Sequence, residues 1–444
     1  PAALLCSEGM LSTSTMTELI LKPITAIRLE CPTAANVFAF IRNHQLYSID
    51  RAEASTYADL FRFLNSGFAV LVLDGADSAL VFGIQGYDKR SVSEPSGEDN
   101  VMGAKDGFIE VVRVNMSLLR RRMKTPQLKL ELFVKGSKSQ TDLCLCYMAD
   151  RVPQSLIAQI KARLDEMELE SILSSGYLQP FLENRRGCLF DTVGTTQRPD
   201  VLCAKLLEGR VGLLIDGTPF ALVIPKLFCE SFQTMDDYCY RPAYATLVRW
   251  IKYAAFLVAV LLPALYVAIA LHHPELLNRT LLLILADAEE NAPISLTAEA
   301  IGVLLVYEII REAGLRLPKA VGGAVSIVAG LIIGDAAVAS GLISTPMLTV
   351  TAIAVIAGFV VPDLAQSITL LRLAFLLIAG FWGLFGISLL GAAVLFNLCA
   401  GESFGFPITA PIAPLYKKGF RDTLTRVSFR KMQSGSFTVE EYHE

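Results

Sequence analysis

The stretch YAAFLVAVLLPALYVAIAL, which runs from Tyr253 to Leu271, decides the class of this protein. It carries no charged residue, and Arg249 and Lys252 lie just before it. Because the hydrocarbon core of a bilayer takes about 20 apolar residues of α-helix, the stretch predicts a membrane-spanning helix. Pro263 lies inside it and can kink such a helix.

Three further segments of the second half are long and apolar. Leu373–Gly401 is uncharged and long enough to span a membrane with some tilt. Ala320–Ser340 and Pro346–Val361 are separated by a short connection, and Asp335 is the acid inside them. Together with the first stretch they predict four spans.

Two other segments leave the number of spans open between four and six. Leu281–Ala286 is short, and Leu296–Ala313 is helical in pattern but charged. In the second, Glu308, Arg311 and Glu312 share one helical face. This face is either a salt-bridged helix at the bilayer surface or the mouth of a pore.

Basic residues flank both ends of the apolar region. Arg249 and Lys252 precede it, and six Lys and Arg residues follow it between Lys417 and Lys431. Since cytoplasmic flanks are rich in Lys and Arg, both termini are predicted to be cytoplasmic, which requires an even number of spans. Met10–Ile27 has no signal-peptide pattern, so we expect the first 250 residues to stay in the cytoplasm.

Composition separates the two halves of the 444 residues. Residues 1–250 contain 27 Lys and Arg and 29 Asp and Glu, whereas residues 251–444 contain 12 and 14. A soluble module followed by a membrane module is therefore predicted, and a net charge of −4 gives no indication of a nucleic-acid partner. Nine Cys without a CxxC pair indicate free thiols in a reducing compartment and no metal site.

The soluble half contains an internal repeat. GFAVLVLDG (67–75) and GRVGLLIDG (209–217) both end in Asp-Gly, a sequence that favours a β-hairpin turn. Each follows a helix-like stretch, Tyr57–Leu64 or Val201–Leu207. The alternation predicts a cytoplasmic α/β region of two related subdomains, split near residues 149–153. The predicted domains are an α/β subdomain at 1–150, a second at 151–250, a transmembrane helical domain at 251–401 and a cytoplasmic tail at 402–444.

No catalytic signature is found in the sequence: Walker A, GxSxG and HExxH motifs are all absent. We expect neither an enzyme nor a cofactor. Asp74 and Asp216 are interpreted as turn residues rather than catalytic carboxylates. Cys144 and Cys146 lie on one face of a predicted strand, where a buried apolar pair is favoured over a metal or redox site.

Two clusters are candidates for subunit contacts. Arg120, Arg121 and Arg122 form a basic run on a predicted helix, which is a solvated face, a phosphate or lipid headgroup site, or a subunit contact. In the membrane half, small residues recur every four positions and allow close helix packing, within one subunit or between subunits. These residues are Gly322, Ser326, Gly330 and Gly334.

An acid follows this ridge of small residues directly. Asp335 is a functional candidate because an intramembrane carboxylate needs water or a partner. With Glu308 and Glu312 it forms the candidate ion pathway. Four to six spans are few for a monomeric transporter, whereas a pore at the axis of an oligomer needs fewer spans per chain.

The chain resembles the A subunit of bacterial spore germinant receptors, the GerA family of spore germination proteins. The motifs that carry the resemblance run through nearly the whole chain: GAKDGFIE (103–110), NMSLLRRR (115–122), LEGRV (207–211), DGTP (216–219), LPALYV (262–267), REAGLRLP (311–318) and SFG (403–405). The related SpoVA-operon AF protein shares this architecture, but residues 311–318 look more like the receptor subunit. Asp335 departs from the family, which usually has an uncharged or amide residue there.

This resemblance implies a multi-pass protein of the spore inner membrane that helps to sense nutrients. Its implied partners are membrane lipid, a transporter-like B subunit, a C-subunit lipoprotein and further copies of itself, assembled as a pentamer into a nutrient-gated cation channel. A non-conducting membrane scaffold and an AF-type sporulation protein are the alternatives, and a membrane-bound enzyme or transporter is disfavoured by the missing motifs.

Overall fold

The computed structural model describes residues 2–7, 12–28, 33–43, 51–84, 91–95, 97–98, 100–183, 188–290, 294–317, 334, 336–416 and 419–432. The chain forms two compact units, Pro1–Ser91 and Val92–Glu444.

The first unit contains a four-stranded antiparallel sheet in the order β1-β3-β4-β2. Its helices supply Ile20 and Ile41, which pack with Leu71 and Phe82 of the sheet. Thr56 caps the last helix, because its Oγ1 accepts a hydrogen bond from the Asp59 backbone N–H at 3.1 Å. The elements are β1 (Ala2–Leu5), α1 (Thr13–Met16), a π-helical turn (Thr17–Leu21), α2 (Lys22–Thr25), α3 (Ala34–Asn43), β2 (Arg51–Ala54), α4 (Tyr57–Asn65), β3 (Ala69–Leu73) and β4 (Ala79–Phe82).

The second unit begins with a five-stranded antiparallel sheet in the order β5-β6-β8-β9-β7. Helices cover both of its faces. The elements are α5 (Val112–Arg122), β5 (Leu128–Lys135), β6 (Thr141–Met148), α6 (Gln154–Asp165), α7 (Gln179–Leu182), β7 (Gly194–Thr196), α8 (Pro199–Leu207), β8 (Val211–Ile215), β9 (Ala221–Ile224) and α9 (Asp236–Cys239).

Strand β6 shows how this sheet divides its core. Leu143 and Leu145 point into the core that contains α6, whereas Cys144 and Cys146 point into the core that contains α5 and α8. This alternation follows from the two-residue period of a strand. The two thiol sulfurs are 3.8 Å apart and fully buried, as the buried-pair interpretation predicts.

Both predicted hairpins are present. Strands β3 and β4 pair around Asp74-Gly75, and strands β8 and β9 pair around Asp216-Gly217. The subdomain boundary expected near residues 149–153 differs from the observed division between Ser91 and Val92. The reason is that β6, before the expected boundary, pairs with β8, after it, and local periodicity carries no information about which strands pair.

The helical region follows the sheet. Its elements are α10 (Pro242–His272), α11 (Arg279–Glu290), α12 (Leu296–Arg316), α13 (Thr345–Phe359) and α14 (Ala365–Ala400). Among the described residues, two helical segments are long and apolar enough to cross a membrane, Pro242–His272 and Pro362–Ala400. They contain the first predicted span and all but the final residue, Gly401, of the last one. The span predicted at 346–361 corresponds to the shorter apolar α13, and most of the one predicted at 320–340 lies outside the described residues. The four-span count therefore stays a prediction.

Small residues bring α10 and α14 close together. Ala259, Ala264 and Ala268 are buried against Ile368 and Phe375. Helix α14 is interrupted at Gly383, whose φ is +60°. A Cβ at Gly383 would also lie 2.9 Å from the Cβ of His272, so glycine serves both the break and the close approach.

After the last long helix the chain returns to the sheet. Strands β10 (Glu402–Ser403) and β11 (Phe406–Pro407) form a small hairpin. Its Phe404 and Phe406 side chains are buried in the same core as β6 and α6. The Ser403 hydroxyl donates to the backbone carbonyl of Thr192 at 3.0 Å. Two short helices, α15 (Phe420–Thr423) and α16 (Phe429–Met432), follow.

Candidate functional site at the start of the first long helix

A cluster of buried charges lies where the sheet region meets α10. Pro242 begins this helix, and Arg249 and Lys252 lie one turn apart on its buried side. Asp237, in α9 just before the helix, is only 1% exposed. We call the following set the junction cluster: Asp237, Tyr238, Arg249, Lys252, Asp422 and Arg426.

Asp237 holds both cations of α10. Its Oδ2 accepts from the Nε of Arg249 at 2.9 Å, and its Oδ1 lies 3.3 Å from the Nζ of Lys252. The Thr234 hydroxyl donates to the same Oδ1 at 3.1 Å and accepts from Lys252 at 3.0 Å. Because removal of one partner would leave an uncompensated buried charge, these groups hold α9 and α10 in a fixed arrangement.

The second carboxylate of the cluster comes from the C-terminal segment. Asp422 Oδ1 lies 3.0 Å from Nη1 of Arg249, and Asp422 Oδ2 accepts from the Tyr238 hydroxyl at 2.7 Å. Burial, followed by the charge of Asp422, raises the pKa of Tyr238 well above its ordinary value. Tyr238 therefore remains a hydrogen-bond donor across the physiological pH range.

Further contacts fasten the C-terminal segment to the first turns of α10. The backbone N–H of Arg426 donates to the Thr246 hydroxyl at 3.0 Å, and the Arg426 guanidinium donates to the Tyr238 carbonyl at 3.0 Å. The indole N–H of Trp250 donates to the Leu424 carbonyl at 2.9 Å. A displacement of α10 would therefore disturb both the sheet region and the C-terminal segment.

A second buried charge network joins α8 to the segment after β9. Glu230 accepts from Lys205 at 2.9 Å and from Nη1 of Arg210 at 2.6 Å. Arg210 also donates to the carbonyl of Pro225 at 2.8 Å. Burial would raise the pKa of Glu230, but Arg210 and Lys205 lower it to about 2. Glu230 is thus ionised at neutral pH and joins the segment after β9 to α8 and to Arg210, the residue before β8.

The charged and polar side chains of the junction cluster are bound to one another. In the part of the chain that the structure describes, no group of three or more His, Cys, Asp or Glu side chains could hold a metal ion. Its carboxylates are engaged by Arg, Lys and Tyr side chains, so they are held in place rather than presented to a substrate.

The two candidate ion-pathway residues that the structure describes, Glu308 and Glu312, lie one turn apart on α12. Glu308 pairs with Arg311 at 2.6 Å and accepts from the Thr369 hydroxyl at 3.1 Å. Glu312 pairs with Arg316 at 2.6 Å on the exposed side of α12. Asp335 lies outside the described residues.

The small-residue ridge is described at one position. A Cβ on Gly334 would lie 3.8 Å from Leu348 of α13, an ordinary van der Waals contact. Gly322, Ser326 and Gly330 lie outside the described residues.

The basic run on α5 is partly paired. Arg121 lies 2.6 Å from Asp106, and Arg122 also contacts this carboxylate. Burial would raise the pKa of Asp106, but Arg122 and Arg121 lower it. Arg120 is exposed beside Arg121 and Ser117, at a shallow depression of the surface.

Sequence reasoning did not predict the contacts by which several polar residues connect the helices. Glu299 is 1% exposed, and its Oε1 accepts from the N–H and the hydroxyl of Ser344 at 2.6 and 2.8 Å. Arg372 is buried on α14 and donates to a carbonyl of α10. Arg372 is an isolated charge in an apolar helix, a pattern that indicates a buried polar contact. No local pattern in the sequence marks Asp237 or Asp422 as partners of α10.

The chain is similar to spore germination proteins over most of its length. Residues 1–436 match the family described as Bacillus/Clostridium GerA spore germination protein. Spore germination protein KA of Bacillus subtilis (strain 168) is 37% identical over 380 residues, which are 85% of this chain and 70% of that protein. Spore germination protein B1 of the same strain is 31% identical over 431 residues, 96% of this chain and 88% of that protein.

Two further similarities extend this comparison. An uncharacterized membrane protein of Bacillus subtilis (strain 168), YfkQ, is 38% identical over 368 residues, 82% of this chain and 72% of that protein. A crystal structure of the N-terminal domain of the A subunit of the Bacillus megaterium spore germinant receptor GerK3 is 28% identical and covers 51% of this chain and 83% of that one, with a TM-score of 0.25, which is too low for a comparison of folds. Because the family matches almost the whole length and the relatives exceed 30% identity over most of both chains, this chain belongs to the Bacillus/Clostridium family of GerA spore germination proteins.

Proposed function

We propose that this chain is the A subunit of a spore germinant receptor and forms a nutrient-gated cation channel as a homo-oligomer, with five copies as the expected number. The match to spore germination proteins over residues 1–436 carries the first part of this proposal. The channel is the finer part, and the polar groups of the helical region support it.

The helical region carries charged side chains on two of its apolar helices. Glu299, Glu308 and Arg372 all lie on α12 or α14, where a charged side chain is costly unless a partner or water is present. Few spans per chain and charged residues on packed helices favour a polar path shared by several copies. The ridge from Gly322 to Gly334 and the exposed Arg120 are the proposed subunit contacts.

The return of the chain to the sheet supports a particular topology. Residues before Pro242 and residues after Ala400 share one core, through Phe404 and Phe406. This shared core supports a topology in which both ends of the helical region lie on the same side of the membrane, with an even number of crossings between them. The basic flanks favour the cytoplasmic side, in the spore inner membrane or the cell membrane.

In this proposal the junction cluster couples the soluble region to the pore. A nutrient signal from a transporter-like B subunit and a C-subunit lipoprotein would move the sheet region relative to α10. Arg249 would transmit such a movement, because it contacts Asp237 before the helix and Asp422 in the C-terminal segment.

Ion flux through the purified protein in liposomes tests the channel. Reversal potentials in asymmetric KCl are compared for the wild type, Asp335→Asn and the control Glu170→Gln, whose carboxylate is paired with Lys138 on an exposed surface outside the helical region. We expect Asp335→Asn to lower cation selectivity while the control leaves it unchanged, since a ring of carboxylates concentrates cations. Absence of flux in every protein would favour the scaffold, and unchanged reversal potentials would remove Asp335 from the pathway.

Assembly and topology have their own tests. Gly330→Leu should weaken the oligomer on native gels if the ridge forms a subunit interface, and an unchanged oligomer would place the ridge elsewhere. A cysteine introduced near Ser434 should resist labelling from outside intact cells, because that tail is expected in the cytoplasm.

A further inference from the structure

The proline in the first long helix leaves a backbone carbonyl without its helical donor. Pro263 has no N–H and cannot donate to the carbonyl of Ala259, four residues earlier in α10. Both residues are buried against neighbouring helices. A buried carbonyl without a partner costs free energy, because neither lipid nor the helix supplies a donor.

A side chain from another helix supplies the missing donor. The Nε of Arg372, on α14, donates to the carbonyl oxygen of Ala259 at 2.8 Å. The Arg372 side chain is buried, with 4% of its surface exposed. The donor and the acceptor of this hydrogen bond are 113 positions apart in the chain. We propose that Arg372 is a positioning residue that replaces the hydrogen bond removed by Pro263 and so fixes the shape of the first long helix against the last one.

The surroundings of Arg372 are built around this contact. A Cβ at Gly358 of α13 would lie 3.1 Å from Nη2 of Arg372, so a glycine leaves room for the guanidinium. Among the residues that the structure describes, Arg372 forms no ion pair. The nearby carboxylate of Glu308 accepts a hydrogen bond from Thr369, one turn before Arg372 on α14, and is paired with Arg311. The guanidinium therefore acts here through a hydrogen bond to the backbone.

This arrangement joins two helices at a point where one of them is weak. A proline within a helix interior loosens its hydrogen-bond ladder, and α10 regains the lost bond only while α14 stays in place. A movement of α14 relative to α10 must break this bond. The inference concerns the packing of the helices and holds whether or not the assembled protein conducts ions, so its test does not depend on the proposed channel.

A double-mutant cycle on the full-length protein in detergent tests the proposal, with apparent melting temperature and monodisperse yield as readouts. Arg372→Met should lower the melting temperature by on the order of 5 °C, because it leaves the Ala259 carbonyl unpaired. Pro263→Ala restores the helical donor, so the double variant should regain at least half of that loss. Pro346→Ala is the matched control: this proline lies in the first turn of α13, and its removal should rescue nothing.

Arg372→Gln separates the hydrogen bond from the charge. Gln keeps a donor of similar reach without the charge, so it should lose less than half as much stability as Arg372→Met. If Arg372→Met does not yield folded protein, recovery of yield in the double variant supports the proposal. Equal losses in Arg372→Met with and without Pro263→Ala, or equal losses for Gln and Met, would overturn it.

Discussion

The hairpins β3–β4 and β8–β9 have nearly the same turn sequence but different surroundings. Gly75 and Gly217 adopt φ of +82° and +86°, so the two turns share one backbone conformation. Asp74 is exposed, whereas Asp216 Oδ1 accepts from the Val112 N–H at 2.9 Å, at the start of α5. The same local sequence therefore builds the same turn twice, but only the second turn also caps a distant helix.

The contrast extends to the charges beside each hairpin. Glu53 on β2 pairs with Arg42 at 3.8 Å near the surface. Glu230, which follows β9, is paired with Arg210 and Lys205 in the interior. A turn sequence thus predicts local geometry, while the contribution of that turn to stability depends on residues far away in the chain.

Loss of the buried charge should have the largest effect on the second hairpin. Glu230→Gln leaves Arg210 and Lys205 with the less buried Glu208 as their carboxylate partner and should destabilise the five-stranded sheet by about 3 kcal/mol. The control Glu53→Gln should cost below about 1 kcal/mol, because that pair is partly exposed. Hydrogen exchange of peptides from residues 211–224 and 69–82 measures the local stability of each hairpin separately. Equal increases in exchange rate in the two variants would contradict the expected difference between the hairpins.

Acid should weaken the second hairpin through the same residue. The folded pKa of Glu230 is about 2, below its unfolded pKa of roughly 4.3. The ionised carboxylate therefore stabilises the folded state fully at a pH above the unfolded pKa, and this stabilisation is lost as the pH falls towards the folded pKa. The loss is on the order of 3 kcal/mol at most. Burial raises the pKa of Asp216, which gives a trend in the opposite direction.

Hydrogen exchange at pH 6 and pH 3 measures this pH dependence in the wild type and in Glu230→Gln. The variant should have lost most of the acid sensitivity of residues 211–224. Retention of the full sensitivity would assign it to other carboxylates.

Removal of the distant cap should have an intermediate effect. Asp216→Ala frees the N–H of Val112 and should destabilise α5 by about 1–2 kcal/mol, visible as faster exchange in residues 112–122. Asp74→Ala, at the equivalent position of the first hairpin, should change exchange there little. Comparable losses in both variants would mean that the turn itself, rather than the cap, needs the carboxylate.

Substitution of the turn glycines should give the smallest difference in stability between the two hairpins. In this case the first hairpin, rather than the second, should lose more. Gly75→Ala and Gly217→Ala each place a Cβ at positive φ and should cost about 1 kcal/mol. The Cβ at Gly75 would also lie 3.3 Å from the Cβ of Ala34, whereas the Cβ at Gly217 would meet nothing within 4 Å. Unfolding of both variants should therefore show a slightly larger loss at Gly75, and a larger loss at Gly217 would contradict this order.

Sequence patterns predicted the features that repeat over a few residues. The Asp-Gly turns, the alternation of β6 and the apolar length of α10 are all local, and the structure contains them. The partners of buried charges are not local: Glu299 meets Ser344 across 45 residues, and Arg249 meets Asp422 across the whole helical region. No periodicity encodes such pairs, so the junction cluster had to be found in three dimensions.

The packing of Phe404 and Phe406 into the sheet has a consequence for biosynthesis. All five strands of that sheet are translated before Pro242, but the two aromatic rings that complete its core emerge from the ribosome only after α14. During translation the core of this sheet therefore keeps an unfilled apolar cleft until the last long helix has been made. The core is complete only after all the helices have been synthesised and the chain has returned to the sheet. A chain stalled before residue 402 would expose the apolar cleft to the chaperones and proteases of the cell.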